Sequence, residues 1–276
     1  SDISEQSVVG REAFRIRRAN AYKAYYEHMP LRRASLPTGP DMLLYRKVSY
    51  GDLADFFVLD TRQYRTDQPC GDGKIVLCEE AMNPDNTMLG ATQRDWLFDG
   101  MQTSASQWNV LAQQVMVAAH DRDPSVDGIG FSMDKWTSCE VERRNLLKFM
   151  GDSGVSNPVV LTGDIHSNWA NELWRESLDP SLGSVGVEFV GTSISSGGNG
   201  HRYPGKLDQI KRDNPFVRFH NAERGYVSCD VSRKDWKTHY RTVEYVDKKG
   251  APLNTRASFV VEDGRSVLEE VYKDEG

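Results

Sequence analysis

The sequence predicts a layered α/β domain with two sheets, occupying residues 1–276 as one unit. Three observations carry that prediction. The middle third alternates buried-strand and helix patterns in βαβ order, the chain after Val185 switches to period-two alternation, and no linker-like or low-complexity tract divides the two. A length of 276 residues suits one large domain, and 38% hydrophobic against 27% charged residues supply a core, which excludes global disorder.

Residues 11–28 are helix formers free of Pro and Gly, with Phe14, Tyr22, Tyr25 and Tyr26 at helical spacing, and the pattern stops at Pro30. Residues 42–50 and 53–59 read as two strands joined at Gly51-Asp52, a hairpin signal. After a polar stretch to about Leu89, Thr92 is placed to cap a helix over 93–103 whose Trp96, Leu97 and Met101 face inward. Residues 108–119 are apolar enough for a buried strand, interrupted at Gln113-Gln114. A helix over 140–150 and a short buried strand over 157–163 complete the βαβ unit. Beyond it, residues 187–190, 225–231, 236–246 and 257–261 alternate as strands.

Lys and Arg total 34 against 40 Asp and Glu, a net charge of −6, which argues against nucleic acid as the main partner because phosphate backbones demand clustered cations. No apolar run approaches the ~18 residues that span a bilayer, and residues 1–5 lack the basic and apolar regions of a signal peptide. A soluble chain, or a mature or cut piece of one, is expected. Cys70 and Cys78 flank a short Gly/Asp loop. A local disulfide is the preferred state there, with two free thiols and a zinc site as alternatives, and it implies an oxidising compartment. Cys139 and Cys229 read as buried thiols.

The sharpest chemical feature follows the strand at 157–163. Asp164 and His166 leave its carboxyl end at i and i+2, so extended geometry points both side chains toward the crevice where open α/β sheets bind ligands. A carboxylate beside an imidazole suits a metal ion; the alternative is an aspartate capping its turn and bonding a half-buried histidine. Asn168 and Ser167 are placed to support such ligands. His120, read as the end of the neighbouring strand, is within reach of the same crevice as a ligand or supporting group. Arg62, beside Asp60 at another strand end, offers a bidentate fork for a phosphate oxygen, against the alternative of a structural salt bridge. The Gly/Ser-rich residues 191–200 form either an anion nest or a plain connector, and residues 214–221 read as a loop tucked under its aromatics or rimming a pocket. No G-x-S-x-G elbow occurs, which weakens a serine hydrolase.

Six blocks, AYYEHMPLR at 24–32, FVLDTRQYR at 57–65, LGATQRDWL at 89–97, NVLAQQVM at 109–116, LTGDIHSNW at 161–169 and FVGTSISS at 189–196, occur in this order and resemble the PhoD-like alkaline phosphatase/phosphodiesterase family over nearly the whole chain. The resemblance implies a metallophosphoesterase fold, a two-sheet β-sandwich flanked by helices. It implies metal-dependent hydrolysis of phosphate mono- and diesters by a metal-activated water or hydroxide, an Fe3+ and Ca2+ centre with other divalent metals possible, and a secreted or periplasmic location. Asp164 and His166 match its Gly-Asp-x-His metal block. In the family a ligand-bearing Asp-Asp-His-Glu stretch precedes the segment resembling residues 1–5, so this chain resembles the C-terminal half to two-thirds of such an enzyme. Weak metal binding and slow turnover are expected of it alone. A further departure lies at residues 134–140, where the family continues from Trp136 with Asp-Gly-Tyr. The alternative function is a noncatalytic extracellular binding protein on a degraded phosphatase scaffold.

Overall fold

The computed structural model describes residues 9–122, 130–176, 179–202 and 207–274; the opening residues 1–5 discussed above lie outside them. In chain order the elements are α1 (Arg11–His28), β1 (Arg46–Tyr50), β2 (Ala54–Val58), β3 (Lys74–Ile75), α2 (Gly90–Gln102), β4 (Trp108–Ala112) and β5 (Phe131–Ser132). They continue with α3 (Glu140–Asp152), β6 (Pro158–Thr162), β7 (Asn168–Glu176), β8 (Asp179–Val190), α4 (Leu207–Asp213), β9 (Val217–Asn221), β10 (Arg224–Val231), β11 (Asp235–Val243), β12 (Leu253–Glu262) and β13 (Glu269–Lys273).

The first sheet runs β1-β2-β4-β6-β8-β7-β9, with β2, β4, β6 and β8 parallel and the flanking strands antiparallel. Parallel strands are covered on both faces, so β4 (WNVLA) and β6 (PVVLT) are almost continuously apolar. One face packs Phe57, Leu111 and Val160 against Leu97 and Met101 of α2 and Leu146, Leu147 and Met150 of α3. The opposite face meets the second sheet, β10-β11-β12-β13, across a core of Trp108, Val110, Val159, Phe189, Trp236, Tyr240 and Phe259. Trp108 and Trp236 meet edge to face at 5.7 Å, and the indole N–H of Trp108 donates to the Ser232 carbonyl at 2.8 Å. Fully burying each such side chain contributes roughly 1.5–3 kcal/mol. This is the two-sheet, helix-flanked architecture that the sequence predicts. At Gly225, the seam where β10 begins beside β11, an added Cβ would lie 2.0 Å from the Arg241 carbonyl oxygen, so only glycine fits.

Several local expectations give way to packing. Thr92 lies inside α2; the hydroxyl of Thr87 accepts the first-turn N–H of Gly90 at 2.7 Å instead. β4 stops at Ala112 because Gln114 turns its amide onto the neighbouring strand end, donating to the Leu59 carbonyl at 2.9 Å and accepting from the Thr61 N–H at 2.8 Å. His120 therefore does not end a strand; it lies in the buried run 115–120. α1 has no fully buried residue, and Arg18 ties it to Gln63 at 3.1 Å. Residues 217–221 are the edge strand β9, not a loop.

Candidate functional site

β6 is the fourth of seven strands, and its carboxyl end delivers the chain to solvent through Gly163-Asp164-Ile165-His166. The expected extended geometry is not what forms. Asp164 (φ 68°) and His166 (φ 57°) both take the left-handed conformation, and the N–H of Ile165 reaches back to the Gly163 carbonyl at 2.8 Å. Asp and His tolerate that region better than most residues, and two such positions in one turn are a strained feature of the kind that gathers at working sites. Both side chains are exposed. Arg224 clamps the turn from beneath, its guanidinium donating to the His166 carbonyl at 2.6 Å and the Ser193 hydroxyl at 2.8 Å.

The two side chains face different neighbours. Asp164 accepts from Arg62 at 3.1 Å, and the other arm of the same guanidinium donates to Asp134 at 2.8 Å. Burial opposes the charge on Asp134, but hydrogen bonds from Arg62 and Arg65 outweigh it and hold the carboxyl below its usual range. Asp60 does not touch the Arg62 guanidinium; its carboxylate accepts the backbone N–H groups of Arg62 and Gln63 at 3.0 and 2.9 Å, which fixes the strand exit. Arg62 is thus both a salt-bridge partner and a cation beside Asp164.

His166 opens onto a cleft of about 390 Å3, shared with His120, Trp169, Ile210 and His220. His220 stacks on Trp169 at 3.5 Å, and its Nδ1 lies 3.1 Å from the Asn168 carbonyl. His120 is 6% exposed, and neither ring nitrogen has a hydrogen-bond partner among the described residues. A buried orphan imidazole at a cleft wall is a place where a ligand, ion or water belongs. Asn168 is fully buried with both amide atoms engaged, accepting from the Thr192 N–H at 3.1 Å and donating to Asn221 at 3.2 Å, so it braces the turn from behind.

Lys135 and Arg224 are residues near the turn that sequence reasoning missed, whereas His220 belongs to the 214–221 stretch read as rimming a pocket, and it does line the cleft. Lys135 is 8% exposed, with its Nζ 4.0 Å from the Met116 thioether; burial, reinforced by Arg122, draws its pKa down to about 7. Nothing in a lone lysine between Asp134 and Trp136 signals burial.

The donor chemistry of the turn suits a cation, since a hard carboxylate and an imidazole sit exposed within three residues. They fit as a partial set. Among the described residues, three or more His, Cys, Asp or Glu donors gather only at Cys70, Cys78 and Glu80, and there the sulfurs form a disulfide rather than metal-binding thiolates.

Burial draws the pKa of His220 down to about 4, against the raising effect of its Asn168 bond, and burial holds His120 well below its ordinary value. A depressed imidazole pKa favours the neutral form in the fold, so the linked stability is complete above the unfolded value of about 6.5 and is lost as pH falls through about 4. For His220 the loss approaches roughly 3 kcal/mol. Urea unfolding compared at about pH 7.5 and pH 4 reads it; equal midpoints would show that these rings are not desolvated.

A family model described as PhoD-like phosphatase matches residues 2–240. Alkaline phosphatase D of Bacillus subtilis (strain 168) is 48% identical over 260 residues, covering 94% of this chain and 44% of that protein. A solved structure titled "Structure of PhoD" superposes with a TM-score of 0.94 at 45% identity, covering 99% of this chain and 52% of that one. The chain spans about half the length of the relatives it matches.

Proposed function

The chain belongs to the PhoD-like phosphatase family, and from that premise we propose that it takes part in metal-dependent hydrolysis of phosphate mono- and diesters at the Asp164–His166 turn. The observation that carries this reading is one left-handed turn at the end of the central strand that carries an exposed carboxylate and an exposed imidazole, with Arg62 3.1 Å from Asp164. Asp164 and His166 are the residues proposed to hold the ions, with His120 at the cleft wall and Asn168 bracing the turn. Fe3+ and Ca2+ are the proposed cations, other divalent metals serving in their place. Such cations lower the pKa of a bound water and neutralise phosphoryl charge, so no Ser or Cys nucleophile is needed.

The protein's own residues supply the rest. Arg62 keeps one terminal nitrogen on Asp134 and turns the other to the Asp164 side, where it donates to a phosphoryl oxygen, and Arg224 keeps the turn in place so that the ligands do not reorganise during the reaction. The cleft beside His166 takes the organic half of the ester. A secreted or periplasmic location is proposed, supported by the Cys70–Cys78 disulfide. Among the described residues, no helix is long and apolar enough to cross a membrane.

The test uses the protein in its full-length form, stripped with a chelator and reloaded with Fe3+ and Ca2+. Hydrolysis of para-nitrophenyl phosphate and bis(para-nitrophenyl) phosphate is expected to vanish on stripping and return on reloading. Turnover indifferent to the chelator, or no turnover after reloading, overturns the proposal, and the second result leaves a scaffold that binds esters without cleaving them.

A further inference from the structure

We propose that Asp134 is a positioning residue: it aims the Arg62 guanidinium at the Asp164–His166 turn so that Arg62 meets the phosphoryl group. The proposal rests on the function given above and adds a residue to it. Arg62 leaves the first sheet beyond β2, whereas Asp134 arrives from the segment after β5, yet one oxygen of Asp134 accepts from Arg62 at 2.8 Å, Arg65 at 2.9 Å and Gln68 at 3.3 Å. All three donors belong to the single stretch that follows β2. A guanidinium is a rigid planar fork, so fixing one terminal nitrogen fixes the direction of the other, and here the second points at Asp164.

The pin itself stands on firm ground. Arg65, its second partner, has a side chain only 10% exposed, and the adjoining Trp136 is fully buried with its indole N–H donating to Gln113 at 3.1 Å. Met133 is likewise buried, and its N–H donates to the Gly73 carbonyl at 3.1 Å. Asp134 and Arg62, by contrast, are 46% and 42% exposed. An ion pair that open to water adds little to stability, so its consequence is geometric rather than energetic.

That distinction makes the proposal testable by a double-mutant cycle on the loaded full-length protein, with inorganic phosphate affinity from calorimetry and KM for para-nitrophenyl phosphate as readouts. Asp134→Asn and Arg62→Ala are each expected to raise the phosphate Kd and the KM about tenfold, with the effect falling on KM more than on kcat. The double variant is expected to be no worse than Arg62→Ala alone, Asp134→Glu to recover part of the loss, and the melting temperature of Asp134→Asn to stay within about 2 °C of the parent. An unchanged or tighter phosphate Kd in Asp134→Asn overturns the proposal. So do single effects that multiply in the double variant, or a fall in melting temperature without a change in Kd, which marks a merely structural role. A parent protein that binds phosphate but cleaves no ester refutes the proposed function while leaving the cycle readable; one that binds no phosphate refutes both.

Discussion

Replacing Asp164 by asparagine is expected to lower turnover of either para-nitrophenyl ester about a thousandfold, equivalent to roughly 4 kcal/mol of barrier, while leaving the fold intact. The substitution is chosen for its backbone. Asp164 sits at φ 68°, and asparagine is among the few side chains that accept this region readily, so the turn keeps its shape while the carboxylate charge is removed. The exposed side chain has Arg62 as its hydrogen-bond partner, so loss of that contact costs little stability. Metal content should fall together with rate. A variant that turns over normally with its metal retained would move the reacting centre elsewhere.

Replacing Glu188 by leucine is expected to destabilise the protein by on the order of 5 kcal/mol, read as a large fall in the urea midpoint. Glu188 on β8 is completely buried, and its carboxylate accepts the N–H groups of Val117 and Ala118 at 2.8 and 3.1 Å, the Thr162 hydroxyl at 2.8 Å and the Asn171 amide at 3.1 Å. Burial pushes its pKa up, and those same hydrogen bonds draw it back. Leucine would leave all four donors buried without an acceptor, each costing roughly 1–3 kcal/mol. Those donors come from the segment that ends in His120, from the last residue of β6 and from β7, so the core carboxylate also fixes the base on which the site is built. A loss below about 1 kcal/mol would mean that water replaces the carboxylate.

The parts of this fold that were legible in the sequence are those where hydrophobic periodicity decides structure. The hairpin of β1 and β2 with its Gly51 turn, the helix α3 and the buried strand β6 follow from pattern and turn chemistry. β7 was hidden because its buried positions carry Asn168, Asn171 and Glu172, polar groups made tolerable by partners on β9, on β8 and at Leu268 between β12 and β13 that only the tertiary structure supplies. The residues of the candidate turn were legible as donors, but their conformation was not: a strand extended past Gly163 would align Asp164 and His166, whereas the left-handed turn sends one to Arg62 and the other to the cleft. The pairing of Arg62 with Asp134 spans 72 residues of sequence separation, and no local signal announces it.

Anomalous diffraction from crystals of the full-length protein soaked in Mn2+ would decide whether this turn holds a cation. A peak within about 2.0–2.6 Å of an Asp164 carboxylate oxygen and an imidazole nitrogen of His166 is expected. A protein whose only ordered Mn2+ lies elsewhere, with Asp164 still bound to Arg62 and His166 free in the cleft, would refute the assignment.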